Sequence, residues 1–183
     1  MRAARTAAFF ALSTPTDATG TPGGICAIAS SASSPPATEV EEEFADMDVD
    51  APRVAIVMGS KSDMPVMEKA GQELEERGIR FEIRVMSAHR DPQTVAEYAR
   101  NAKFRGIQVI IAGAGLSAAL PGVMAAHTGL PVIGVPLTSK TSVAGGLDAL
   151  LSIAQMPPGV PVACVGVDNA LNAAVLAARI LEA

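Results

Sequence analysis

Val54-Ala55-Ile56-Val57-Met58 is an unbroken apolar run, and Gly59-Ser60-Lys61-Ser62-Asp63 follows it at once. A strand with one wet face alternates apolar and polar residues. An unbroken run implies cover on both faces, the condition of a strand inside a parallel sheet. The small-residue turn leads into a helical pattern running to about Arg77, with Val66, Met67, Ala70 and Leu74 on one face and Gly78 as the stop.

The same strand–turn–helix unit recurs down the chain. Arg80 to Met86 reads as a second strand, and Asp91 to about Lys103 as a helix carrying Val95, Ala99 and Ala102. Val109 to Ala112 reads as a third strand, Gly113-Ala114-Gly115 as a turn, and Ala118 to His127 as a small-residue helix. Leu130 to Val135 is a fourth strand, again unbroken. Thr138 to Gly146, rich in Ser, Thr and Gly, reads as a mobile loop before a short helix from Leu147 to Ile153. Val160 to Val167 is a fifth strand and Asn169 to Leu181 the last helix. Five such units in succession require crossovers, giving an α/β fold with a doubly wound parallel five-stranded sheet. The expected strand order is the flavodoxin-like 2-1-3-4-5, a three-layer sandwich that binds ligands at the carboxyl ends of its strands.

Arg84-Val85-Met86-Ser87-Ala88-His89-Arg90-Asp91-Pro92 joins the second strand to its helix, with Asp91 and Pro92 as the start signal. Ser87, His89 and Arg90 put a hydroxyl, an imidazole and a guanidinium at a strand's carboxyl end. Ser87 and Arg90 suit a phosphate, and His89 suits proton transfer. A polar loop with a solvated histidine accounts for the same residues. The Gly59–Asp63 turn is a second anion site at a helix start, but lacks the spacings of a nucleoside-triphosphate loop or a dinucleotide fold. A smaller phosphate ester fits better. Asp63 reads either as a helix N-cap or as an acceptor for sugar hydroxyls. Gly113-Ala114-Gly115 either admits a planar ligand or is a tight turn, Lys61 is a weaker proton carrier, and His127 reads as structural.

Composition narrows the class. At 183 residues and 18% charged, the chain suits one well-buried domain or an oligomer. A net charge of -5 argues against non-specific affinity for nucleic acid or anionic membrane. No apolar run approaches the roughly twenty residues of a membrane helix. Cys26 and Cys164 make neither a disulfide framework nor a metal cluster, and no metal or other cofactor is expected. Residues 1–51, rich in Ala, Ser, Thr, Pro and Gly, read as a disordered leader preceding a domain over 52–183. With Arg2 and Arg5 and no acid before Asp17, the leader also fits a transit peptide for a plastid or other organelle; otherwise the protein is expected in the cytoplasm. In the last helix, Ala170, Ala173, Ala174, Ala177 and Ala178 leave room for another helix, which favours oligomer contacts over propensity alone.

Several short motifs stand together in order: Gly59-Ser60-Lys61-Ser62-Asp63, Ser87-Ala88-His89-Arg90, Ala112-Gly113-Ala114-Gly115, Leu120-Pro121-Gly122, Pro131-Val132-Ile133-Gly134-Val135-Pro136 and Gln155-Met156-Pro157. With them the chain from about Arg53 to Leu181 resembles the N5-carboxyaminoimidazole ribonucleotide mutase family of purine biosynthesis. The resemblance implies a ribonucleotide substrate whose phosphate meets Ser60, Ser87 and Arg90 and whose ribose meets Asp63. It places Ser62 and the Gly113-Ala114-Gly115 backbone at the base and the migrating carboxylate, with His89 as general acid/base. It also implies a homo-octamer whose sites borrow from a neighbouring subunit. The family's bacterial mutase branch usually has His before Leu-Pro-Gly, where Ala119 stands here. The run Leu116-Ser117-Ala118-Ala119-Leu120 leans toward the branch that carboxylates aminoimidazole ribonucleotide with free CO2, while Gln155-Met156-Pro157 and Leu120-Pro121-Gly122 lean back toward the mutase. A flavodoxin-like module that binds a nucleotide without catalysis is the remaining alternative; an imidazole beside a phosphate site speaks against it.

Overall fold

Strand β1 (Val54–Met58) has all five side chains shielded from solvent. The protein is described here as a computed structural model covering residues 51–183. Residues 1–50, with Cys26 and the transit-peptide reading, lie outside the described residues. After β1 come helix α1 (Met64–Glu76), β2 (Phe81–Val85), α2 (Pro92–Asn101), β3 (Val109–Gly115), α3 (Ala119–His127), β4 (Val132–Leu137), α4 (Leu147–Ala154), β5 (Ala163–Cys164) and α5 (Ala170–Glu182). All strands are parallel, in the order β2-β1-β3-β4-β5, the order expected from five crossover units.

Alternate residues of each central strand feed two separate cores. Val54, Ile56 and Met58 of β1, with Val109 and Ile111 of β3, pack against Met67, Ala70 and Leu74 of α1 and the alanines of α5. Ala55 and Val57, with Ile110 and Ala112, pack against Val95 and Ala99 of α2, Leu120 and Met124 of α3, and Ala149 and Ile153 of α4. Helices on both faces explain why these strands carry no polar residue.

Several boundaries shift from their sequence reading, each for a local reason. Gly113-Ala114-Gly115 is the end of β3, not a turn. A Cβ on Gly113 would run into Met67 of α1, and one on Gly115 would come within 2.9 Å of the Leu137 carbonyl oxygen. Glycine is needed there for close packing rather than for turning. β4 extends past Val135 to Leu137, and the Pro136 carbonyl accepts from the Asp168 N–H at 2.8 Å. β5 is reduced to Ala163–Cys164, because Pro161 has no N–H to donate and the chain turns away at Asp168, whose φ is 54°. Cys164 is consequently half-buried rather than fully enclosed, and burial pushes its thiol pKa up.

The alanines of α5 do not form an exposed oligomer face. Ala170, Ala173, Ala174, Ala177 and Ala178 are all fully buried, and α5 packs on the sheet beside α1 of the same chain. Small side chains do permit close helix approach here, but to α1. On the opposite side of the sheet, Glu82 of β2 fastens α2 and the turn at 103–105. It accepts from Tyr98 Oη at 2.6 Å, Arg105 Nη2 at 2.6 Å and Arg84 Nε at 3.0 Å. Burial pushes the Glu82 carboxyl up, but these donors outweigh it and hold the pKa below the usual glutamate value.

Gly134 in β4 shows how tightly this layer is built. A Cβ there would overlap Ile153 of α4 and come within 3.1 Å of Val162 Cγ1. Gly134→Ala is expected to overpack the β4–α4 seam and lower stability by about 1–3 kcal/mol. Urea unfolding measures it, and an unchanged midpoint would show that α4 is not seated as described.

Candidate active site

The parallel register sets Met58 at the end of β1 beside Val85 of β2 on one side and Gly113 of β3 on the other. The backbone continues the ladder one step further: Met86 N–H donates to the Met58 carbonyl at 2.9 Å, and Gly59 N–H to the Gly113 carbonyl at 3.3 Å. The three following turns therefore emerge side by side. A cleft of about 220 Å³ opens between them.

The first turn is a tight 3-10 helix, Lys61–Asp63, that precedes α1. Ser60 is its N-cap, and Asp63 stands at the N-cap position of α1 without a side-chain capping hydrogen bond to that helix. Ser60 Oγ accepts from Ser62 N–H at 3.2 Å, while Asp63 Oδ2 accepts from Ser60 N–H at 3.0 Å, completing a capping box. Ser62 Oγ stands 2.9 Å from Ser60 Oγ and 3.3 Å from Asp63 Oδ1. Because Ser60 Oγ accepts from Ser62, its own proton is directed to another acceptor. Burial pushes the Asp63 carboxyl above its usual range, against the opposing pull of the Ser62 hydroxyl and the Ser60 amide. The folded state thus holds this proton more tightly than the unfolded chain. The associated stabilisation is present at low pH and lost as pH rises through the folded Asp63 pKa, so the ionised carboxylate is costly at neutral pH.

The second turn is held by its ends. Asp91 N–H donates to the Ser87 carbonyl at 2.9 Å, and Asp91 then caps α2 by accepting from Thr94 N–H at 3.1 Å. Between them, His89 and Arg90 are exposed and both line the cleft. Arg90 Nη2 donates to the Gly59 carbonyl at 2.9 Å, so one guanidinium edge ties the two turns together. The rest of the fork remains for an anion.

Ser60, Ser62, Asp63, Ser87, His89, Arg90, Ala114 and Gly115, all expected from the sequence, line this cleft together. Gly113 does not: it is buried one step down in β3, its carbonyl engaged by Gly59 N–H. Lys61 and His127 also lie outside the lining, His127 at the far end of α3. Reading the sequence missed Leu116, Ala118, Leu120 and Ser139 as wall residues. Leu116 adopts φ 55° and is 45% exposed, a backbone state that sequence does not advertise in leucine. Ser139 follows the carboxyl end of β4, so the switch-point rule was the available signal for it.

Hydroxyls, a carboxylate and a guanidinium thus come from the β1 and β2 turns, and the β3–α3 turn supplies an apolar wall. Such a cleft can seat a phosphorylated, polar-ringed molecule with its reactive part against alanine and leucine, next to one imidazole. Among the described residues, no cluster of three or more His, Cys, Asp or Glu side chains is placed to hold a metal ion, and no helix is long and apolar enough to cross a membrane.

Comparison with known proteins identifies the family. The family model described as AIR carboxylase matches residues 53–183. N5-carboxyaminoimidazole ribonucleotide mutase from Pyrococcus abyssi is 59% identical over 134 residues, covering 73% of this chain and 76% of that protein. The mutase from Thermotoga maritima is 62% identical over 130 residues, 71% of this chain and 75% of the relative. The crystal structure of Treponema denticola PurE superposes with a TM-score of 0.64 at 36% identity, covering 72% of this chain and 80% of that one. The family match over residues 53–183 and these identities make the chain a member of the AIR carboxylase family.

Proposed function

We propose that this cleft moves the carboxylate of N5-carboxyaminoimidazole ribonucleotide from N5 to C4 in purine biosynthesis. The observation that carries the reading is the union of the Ser60, Ser87 and Arg90 anion site with the His89 imidazole in one cleft, in a chain closely similar to named mutases. Ser60, Ser87 and Arg90 bind the phosphate, and Asp63 accepts from the ribose hydroxyls. Ser62 and the Ala114-Gly115 backbone border the base and carboxylate.

The reaction breaks the N5–carboxylate bond, releasing CO2 as His89 gives a proton to the nitrogen. The electron-rich C4 then forms a bond to that CO2, and His89 takes the C4 proton as the ring regains aromaticity. The sum is an isomerisation with no net gain or loss of protons. One imidazole serves both steps because this side chain type gives and takes protons near neutrality. The apolar wall of Ala114, Leu116, Ala118 and Leu120 suits an uncharged CO2 better than a polar wall would.

A homo-octamer belongs to the same reading. His89 and Arg90 stand exposed in the single chain, beside Val85 and Leu116 at 41% and 45% exposure. A neighbouring subunit that covered this rim would exclude water from the reacting groups. The buried alanines of α5 no longer support it.

The second reading is direct carboxylation of aminoimidazole ribonucleotide by CO2. Ala119, half-buried in the cleft wall at the position where the bacterial mutase branch usually has His, favours it. The phosphoribosylaminoimidazole carboxylase of Saccharomyces cerevisiae is 54% identical over 132 residues, but this stretch is only 23% of that protein.

Purified protein supplied with N5-carboxyaminoimidazole ribonucleotide is expected to consume it without added bicarbonate. His89→Asn should lower kcat by about 10²–10⁴-fold while KM stays close to wild type. A near wild-type rate in that variant would place proton transfer elsewhere. Asp63 gives a pH signature: hydroxyl donors from ribose favour its charged form, so KM should fall as pH rises through the acidic range where Asp63 ionises. Asp63→Asn should remove that limb of the KM profile; a limb that survives belongs to another group.

A further inference from the structure

We propose that Asp168 is a positioning residue, holding the 138–146 loop, and through it Ser139, against the cleft. The inference rests on the reading of that cleft as the ribonucleotide site. Asp168 adopts φ 54°, in the left-handed region where glycine is unstrained and aspartate is tolerated. What aspartate adds over glycine is a carboxylate, and both oxygens are spent on one residue. Thr138 N–H donates to Asp168 Oδ1 at 2.9 Å, and Thr138 Oγ1 donates to Oδ2 at 2.6 Å. The Asp168 N–H donates to the Pro136 carbonyl at 2.8 Å. The end of β4 is thereby joined to the turn before α5.

The far end of the loop returns to the same place. A Cβ on Gly146 would come within 2.9 Å of Val167 Cγ1 and 3.1 Å of Thr138 Cγ2. Between these anchors the loop is bonded to itself and to α4, with Ser139 N–H donating to Ser142 Oγ at 2.8 Å and Val143 N–H to Asp148 Oδ2 at 3.1 Å. Ser139, the residue next to the anchored Thr138, lines the cleft, whereas Asp168 does not. Asp168 therefore acts through the loop. Its removal would not unseat β5, because Val165 N–H still donates to the Gly134 carbonyl at 3.1 Å.

The test uses the full chain as Asp168→Gly, Asp168→Asn and Thr138→Val, measuring kcat, KM and deuterium exchange over residues 138–146. Asp168→Gly keeps the backbone conformation free of strain and deletes both acceptors. It should speed exchange in the loop and raise KM roughly tenfold, the change expected for one lost positioning contact, with kcat within about twofold. Thr138→Val should shift both readouts in the same direction. Asp168→Asn, which tolerates the same φ and keeps an oxygen for Thr138 N–H, should restore most of the KM. Unchanged exchange in Asp168→Gly overturns the clamp. Faster exchange at wild-type KM, or a loss of active protein at constant KM, reduces Asp168 to a structural role and also overturns the proposal. A wild-type protein that consumes neither ribonucleotide defeats the reading of the cleft instead, and the exchange arm alone then decides the clamp.

Discussion

Main-chain pairing at the carboxyl end of β1 is what the site depends on. Met58 sits between Val85 and Gly113, and its carbonyl and the following amide are both used across the neighbouring strands. A parallel strand buried on both faces cannot slip without exposing apolar side chains or orphaning backbone groups, so this register is strongly fixed. Every functional group then inherits its position from the turn that leaves its strand. The capping box orients Ser60 and Asp63, Asp91 closes the Ser87–Arg90 turn, and Arg90 ties the two turns at the Gly59 carbonyl.

The site also shows a division of labour in its energetics. The core layers consist of fully apolar residues, and among the described residues no buried polar side chain lacks a partner. Two unfavourable features lie at the cleft instead: the partly buried carboxyl of Asp63 and the positive φ of Leu116. Strain and desolvation of this kind persist only where the surrounding fold over-determines them. Here the rigid sheet provides that determination.

Much of this was legible in the sequence, for physical reasons. Unbroken apolar runs followed by amphipathic helices leave few alternatives to a doubly wound parallel sheet, and the order of its strands then assembles the Ser60 and Ser87 turns. Less legible were features set by partners distant in sequence. Gly113 and Gly115 looked like a turn because glycine often turns, while their packing against Met67 and Leu137 fixes them in β3. The alanine stripe announced close helix approach without saying to which helix; α1 of the same chain occupies it. The shortening of β5 and the place of Ser139 on the cleft wall depend on the Asp168 turn, whose positive φ no local pattern signals.

The central claim is that a single site releases CO2 from nitrogen and returns the same molecule to carbon. It is tested most directly with N5-carboxyaminoimidazole ribonucleotide carrying ¹³C in its carboxylate, turned over in a large excess of unlabelled bicarbonate. Mass spectrometry of the C4-carboxylated product reads the outcome. The account predicts that the product keeps the ¹³C label. A product carrying carbon from the unlabelled pool would contradict it, showing that CO2 leaves the cleft and that the chain works as a carboxylase drawing on free CO2.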